Sequence, residues 1–431
     1  MSTLVKKFNL LFFLFVSFIL LIAIFWLYQK HMVGNDSTIS EWIINYQGGF
    51  TRRGIIGEIC FEIAVFFDLS LRFVIFLFQS FLYIIYTIVL YLFIKDVPKN
   101  NLTIIAILSP IFLLYPVAEI EVLARKEVFI FVGFIIFLIL SNIKYSKNIP
   151  LIYIFFVFPI LCLIWEPIIF FFSFVIFIIL IRNKNESPKK IILKIILSFS
   201  SSIMTTIIIL LNIMTVDEHS LMENSLMNNF GESCYMSCAL LASKATIKAQ
   251  FTYVFDLLSF EVIFRYFIII LIGFSPLFIL IFNTNLKTKL ILLESKVFKE
   301  VSTQNILLIF AVLLTPSLIL SASMTDWGRV VNMTYTFSIL TYIYLIKNDL
   351  VIIQKRVIYF DNLYIYKKKL FITLFIIFAF GWNQKTGMTG DVATNSLYKI
   401  IYNTSKKIFK YEGVRLFQNS PLIKFHKKYI E

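Results

Sequence analysis

"LLFFLFVSFILLIAIFWLY", Leu10 to Tyr28, carries no charged side chain over a length sufficient to cross the hydrocarbon of a bilayer. Lys6 and Lys7 precede it, as in a secretory leader. The run is too long for a leader's apolar core, however, and no small-residue cleavage site follows. It reads as an uncleaved first span. The remainder of the chain agrees: 59% of 431 residues are hydrophobic and only 15% are charged, too little polar surface to cover a soluble domain of this length. The sequence predicts an all-α polytopic membrane protein.

Further apolar runs fall near 71–94, 102–118, 128–140, 149–164, 168–181, 191–214, 262–282, 304–321, 330–346 and 370–381. With the first they make about 11 transmembrane helices. Several are short, and 149–181 suits a re-entrant pair. The expected organisation is a membrane domain over 1–381 containing two long non-cytoplasmic loops, 29–70 and 215–259, followed by a basic C-terminal tail, 382–431. Lysine and arginine fill the connections holding Lys95, Lys144, Lys147, Arg182, Lys189, Lys287 and Lys347, which places those loops and the N-terminus in the cytoplasm of a plasma (inner) membrane protein. An odd span count leaves the basic tail outside, against that rule. The formal charge of +15 is explained by contact with anionic membrane lipids and calls for no nucleic acid.

Ionisable residues then concentrate in the other connections. The first holds Asp36, Glu41, Arg52, Arg53, Glu58 and Glu62; the second reads "AEIEVLARKEV", with Glu119, Glu121, Arg125, Lys126 and Glu127. "WEP" around Glu166 and "TDWGRV" with Asp326 and Arg329 follow. "WEP" leaves so little room between apolar runs that Glu166 needs a cationic partner from a neighbouring loop. Asp326 and Arg329, three apart, can pair on one helical face. Single loop charges are usually solvated anchors, but four connections bringing acid and arginine to one membrane face form a candidate site.

Within the first loop, "NYQGGFTRRGIIGEICFE" (Asn45 to Glu62) is the most polar stretch. Gly48 and Gly49 permit backbone conformations closed to other residues, and Gly54 and Gly57 permit close packing or approach to a ligand. From Ile55 to Phe67 the pattern is an amphipathic helix too short and polar to span, lying along the interface. Glu58 and Glu62 share its stripe and brace it. Arg52 and Arg53 precede its N-terminus, where an anion is favoured; the alternative is that they snorkel to lipid headgroups. In the loop 215–259, Cys234 and Cys238 in "GESCYMSCALL" are spaced for a disulfide, with free thiols as the equal alternative and metal binding the weakest.

Sugar transfer from a polyprenyl-phosphate or polyprenyl-diphosphate carrier requires three things: a carboxylate to take the acceptor's proton, cations to stabilise the departing phosphate, and apolar surface for the prenyl chain. All three are present in type. "GGFTRRG", the pair "EIE" (Glu119 and Glu121) and "DWGR" give the chain a resemblance to GT-C-type polyprenyl-phosphate-sugar glycosyltransferases and to the Wzy-type and EpsG-type polysaccharide polymerases. The resemblance implies a glycosyltransferase or polymerase with a polyprenyl-linked sugar donor and a glycan or lipid acceptor. Asp36 stands where the family has its first-loop acid. Glu119 and Glu121 replace an Asp-containing pair, so no cofactor is implied and use of a divalent cation stays open. On this reading Asp36, then Glu41, then Glu121 are candidates for the general base. Arg52, Arg53, Arg125 and Arg329 hold the phosphate, with Gly48, Gly49, Glu58, Glu119, Glu166 and Asp326 in support; no metal ligand set is assigned. A cavity lined by the first and second loops, with an apolar groove into the lipid, is expected. A transporter or lipid-linked glycan flippase is the alternative.

Overall fold

The computed structural model describes residues 3–32, 37–95, 97, 100–234, 238, 241, 247–287, 306–353, 367–389 and 396–409. Its longer helices are α1 (Thr3–His31), α2 (Gly54–Phe66), α3 (Leu71–Ile94), α4 (Asn101–Ile107), α5 (Glu127–Leu140), α6 (Asn148–Ile164), α7 (Phe172–Arg182) and α8 (Pro188–Leu211). They continue as α9 (Val216–Phe230), α10 (Ile247–Asp256), α11 (Phe260–Phe282), α12 (Ile306–Ser323), α13 (Trp327–Lys347), α14 (Lys368–Phe380) and α15 (Ser396–Phe409). Two short strands, β1 (Thr284–Leu286) and β2 (Val351–Ile353), pair antiparallel with Asn285 opposite Ile352, tying the end of α11 to the end of α13.

Among the described residues, α1, α3, α8, α11 and α12 are long and apolar enough to cross a membrane. The protein is therefore a helical membrane-embedded chain, and five helices meet the criterion against about 11 expected. The difference has physical causes. Helices α5, α6 and α14 are apolar, but their 14, 17 and 13 residues fall short of a full crossing. The proposed re-entrant pair becomes α6, a 3-10 turn at Glu166–Phe171, and α7. As expected, α2 is a short helix within the first loop.

The run 102–118 is not one span. Helix α4 stops at Ile107 because Pro110 lacks an N–H and disfavours helical backbone at Ser109; the chain then turns irregularly to a second short helix, Tyr115–Ala118, with Pro116 in its first turn. Non-helical backbone at such depth is tolerated only where protein satisfies it. Here Asn332 Nδ2 donates to Ile111 O (2.8 Å) and Phe112 O (3.3 Å), while Ser109 Oγ donates to Gly273 O at 3.0 Å.

The core is organised around α13. Every residue from Gly328 to Ile346 is buried, against α5, α7, α11 and α12. Its polar side chains turn inward to protein: Tyr335 Oη donates to Ala106 O at 2.6 Å and Tyr344 Oη to Ser141 O at 2.7 Å. Around it α1 packs on α3, α3 on α5, α5 on α6, and α6 on α8. The N-termini of α5 and α13 meet at one end of this bundle, and there the loop charges gather.

Candidate functional site

The segment from Glu41 to Arg53 is built by burial and by glycine. Trp42, Ile43 and Ile44 are all buried, and Trp42 Nε1 donates to Ala124 O in the second connection. The backbone then crosses α2 so closely that a Cβ on Gly57 would lie 1.8 Å from Ile44 O. Asn45 Oδ1 accepts from Gln47 N at 3.0 Å, and Gly49, at φ +125°, turns the chain in a conformation that favours glycine. A Cβ on Gly48 would meet Glu218 O of α9 at 1.9 Å, so this glycine seats α9 against the loop. Glu58 accepts from Tyr46 N (2.7 Å) and Gln47 Nε2 (2.8 Å), and Glu62 from Gln47 Nε2 (3.1 Å), so both carboxylates on α2 hold the loop before it.

Arg53 occupies the residue before α2 in left-handed backbone, φ 64°, costly for a non-glycine residue. Lys126 Nζ donates to its carbonyl at 2.6 Å and holds it there. Its guanidinium grips Glu166 with a two-pronged contact, Nε to Oε2 and Nη2 to Oε1, both 2.8 Å. Glu166 thus finds the arginine its short loop demanded, and Arg52 stands 3.7 Å from the same carboxylate. Arg53 also reaches Glu41 Oε1 at 3.4 Å, whose other oxygen lies 3.2 Å from Arg125 Nη1. Beside them Arg329 binds Glu127 through Nε at 2.8 Å and through Nη2, and Asp326 through Nη1 at 2.7 Å. The four connections converge.

Among the described residues, Arg52, Arg53, Arg125, Lys126 and Arg329 face Glu41, Glu166, Glu127 and Asp326. Burial pushes the Glu41 carboxyl up, and Arg125, Arg329, Arg53 and Lys126 together overcome it, bringing it down to about 2. Burial pushes the Lys126 ammonium down to about 8, with Glu41 opposing. The Lys126 charge also sits 5.9 Å from the Trp42 ring centre.

Several expected placements differ. Glu41, a candidate general base that would have to meet the acceptor, is fully buried because the apolar run after it draws it into the bundle. Asp36 lies outside the described residues. Arg329 is buried with both carboxylates on it, whereas Arg52 stays 41% exposed at the rim. Glu119, in non-helical backbone (φ −117°, ψ 86°) between two short helices, is buried and 3.6 Å from Lys385 Nζ, while Glu121, in the turn that follows, is exposed; only one of the pair faces inward. Cys234 and Cys238 are bridged, with Cα atoms 5.6 Å apart, and Cys234 Sγ lies 3.6 Å from Ser40 O, next to Glu41.

The sequence reading left Lys126 and Glu127 out of the site and treated 382–431 as a tail. Residues 382–388 are in fact built into it. Gln384 Nε2 donates to Gly328 O at 2.8 Å, Gly328 N to Thr386 O at 3.0 Å, and Met388 N to Thr325 O at 2.8 Å. The available signal was "WNQKTGM": amides and glycine directly after an apolar run, before the lysine-rich part. An apolar groove of about 330 Å³ lies between α4, α11 and α14, at the opposite end of the bundle from the first two loops.

No protein-family model, curated protein or solved structure matches the chain.

Proposed function

We propose that the chain is a membrane glycosyltransferase or polysaccharide polymerase, similar to the GT-C type, using a polyprenyl-(di)phosphate-linked sugar on the non-cytoplasmic face. The observation that supports this most is the convergence of acid and arginine from four connections at one end of the bundle, with Arg52 exposed at its rim beside Glu166. A guanidinium at the lip of a cluster of paired charges suits a leaving phosphate. Arg52 contacts it, and Arg53 and Arg125 set the field behind. A carboxylate locked near 2 between arginines is a weak proton acceptor, so Glu41 serves as the anchor of the two guanidinium groups. Exposed Glu121 is then the described acid best placed to take the acceptor's proton. In this reading the N-terminus is cytoplasmic and the cluster faces outward.

The test compares lipid-linked and surface glycans of cells carrying the protein, Arg52→Lys, Arg125→Lys or Glu121→Gln. A point charge cannot reproduce a two-pronged contact with the phosphate, so Arg52→Lys is expected to accumulate the lipid-linked donor, and Arg125→Lys to do so by loosening the hold on buried Glu41. Unchanged glycan pools in all three variants, at normal protein levels, would refute the assignment.

One observation favours a transporter or flippase instead: the unwound backbone between α4 and Tyr115, since broken helices mark substrate paths in transporters. In that case the deleted strain holds its lipid-linked glycan on the cytoplasmic leaflet, while purified protein transfers no sugar.

A further inference from the structure

The groove at the far end of the bundle belongs to none of the chemistry above. Its walls are Leu102 and Ile105 of α4, Pro276 and Ile279 of α11, and Leu370 to Phe378 of α14, with Leu370 and Leu374 exposed along the rim. At 1.5 Å per residue, those positions of α14 run for about 12 Å. Lys367, immediately before α14, lines one end of the groove. An apolar trough closed at one end by a cation is complementary to an amphiphile with a negative head.

The surroundings sharpen the choice. Lys347 at the end of α13 donates to Phe93 O at the end of α3, and Lys287 follows β1 and pairs with Asp349, so Lys95, Lys287, Lys347, Lys367 and Lys369 all lie at this end. Lysine rather than arginine predominates, the pattern of contact with an anionic leaflet. A prenyl carrier seated here would have its phosphate at the wrong end, across the bundle from Arg52. We propose that the groove is a binding site for one anionic glycerophospholipid, with an acyl chain along α14 and its phosphate on Lys367.

The experiment is native mass spectrometry of the detergent-purified full chain, incubated with equal amounts of phosphatidylglycerol and phosphatidylcholine of matched chains. One lysine near a headgroup is worth about five-fold, so the protein is expected to retain one phosphatidylglycerol over phosphatidylcholine by about that factor. Lys367→Glu, at an exposed position, is expected to abolish the preference. Ser275→Trp, which puts an indole into the trough, is expected to lower retention of both lipids. Equal retention of the two lipids by the unaltered protein, or an undiminished preference in Lys367→Glu, would overturn the proposal. So would displacement of phosphatidylglycerol by an equal amount of a polyprenyl phosphate.

Discussion

Glu41 and Glu121 are the same residue type in connections of the same site, yet the structure gives them opposite environments. Removing one member of a buried ion cluster leaves its partners unpaired, so Glu41→Gln is expected to destabilise the protein by about 3–5 kcal/mol. Glu121→Gln, on an exposed side chain, should stay within about 0.5 kcal/mol while lowering transfer. Thermal unfolding in detergent, read by tryptophan fluorescence, separates the two. Lys126 supplies the pH dependence. Its folded value of about 8 lies below the ordinary lysine value of about 10.4, so between them the unfolded chain binds more protons and stability rises with pH. The melting temperature of the unaltered protein should therefore gain on that of Lys126→Met from about pH 8 towards pH 10. A constant difference across that range would count against an ammonium pushed down by burial. Glu41 acts in the same sense at the acid end of the scale: held at about 2, its contribution is lost as pH falls from the ordinary carboxylate range towards that value.

At the scale of elements, glycines decide which segments touch. A Cβ on Gly328 would lie 1.9 Å from Lys385 O, backbone that cannot swing aside, so Gly328→Ala is expected to detach 382–388 and cost about 3 kcal/mol. Gly231 has nothing within 4 Å of its added Cβ and only a positive φ of 63°, so Gly231→Ala should cost about 1 kcal/mol. Unfolding midpoints of the pair test whether contact or backbone strain dominates. These elements also show how far the sequence could be read. Apolar length placed α3 at Leu71–Ile94 and α2 within the first loop, because both depend on local pattern. The break at Pro110 was underestimated because the apolar composition continues through it; what permits the irregular turn is Asn332, more than two hundred residues away. Glu166 could be assigned an arginine partner from the shortness of its loop. That Glu41 stays ionised in its buried place could not be foreseen, since it depends on Arg125, Lys126 and Arg329, brought by other segments.

For the whole molecule, the cluster of Arg53, Glu41, Glu166 and Arg329 and the lysines about Lys347 mark opposite ends of one helical bundle. If the proposed orientation holds, single cysteines at Arg52 and Glu121 should react with a membrane-impermeant maleimide in intact cells. Cysteines at Lys144 and Lys189 should react only after permeabilisation, and the reverse pattern would invert the protein in the membrane. Background labelling should be low, since Cys60 and Cys162 are buried and Cys234 and Cys238 are bridged.

Helix α13 carries Arg329, Asn332, Thr334, Thr336, Ser338 and Thr341 yet is enclosed along almost its whole length. Such a segment partitions poorly into lipid by itself, because each polar group must first find protein to face. Four of its enclosing neighbours, α5, α7, α11 and α12, leave the ribosome before it does. Order of synthesis therefore becomes part of the fold: α13 is delivered into a slot already lined with acceptors. Relocating its coding segment ahead of α5 would ask it to enter the bilayer with no such slot prepared.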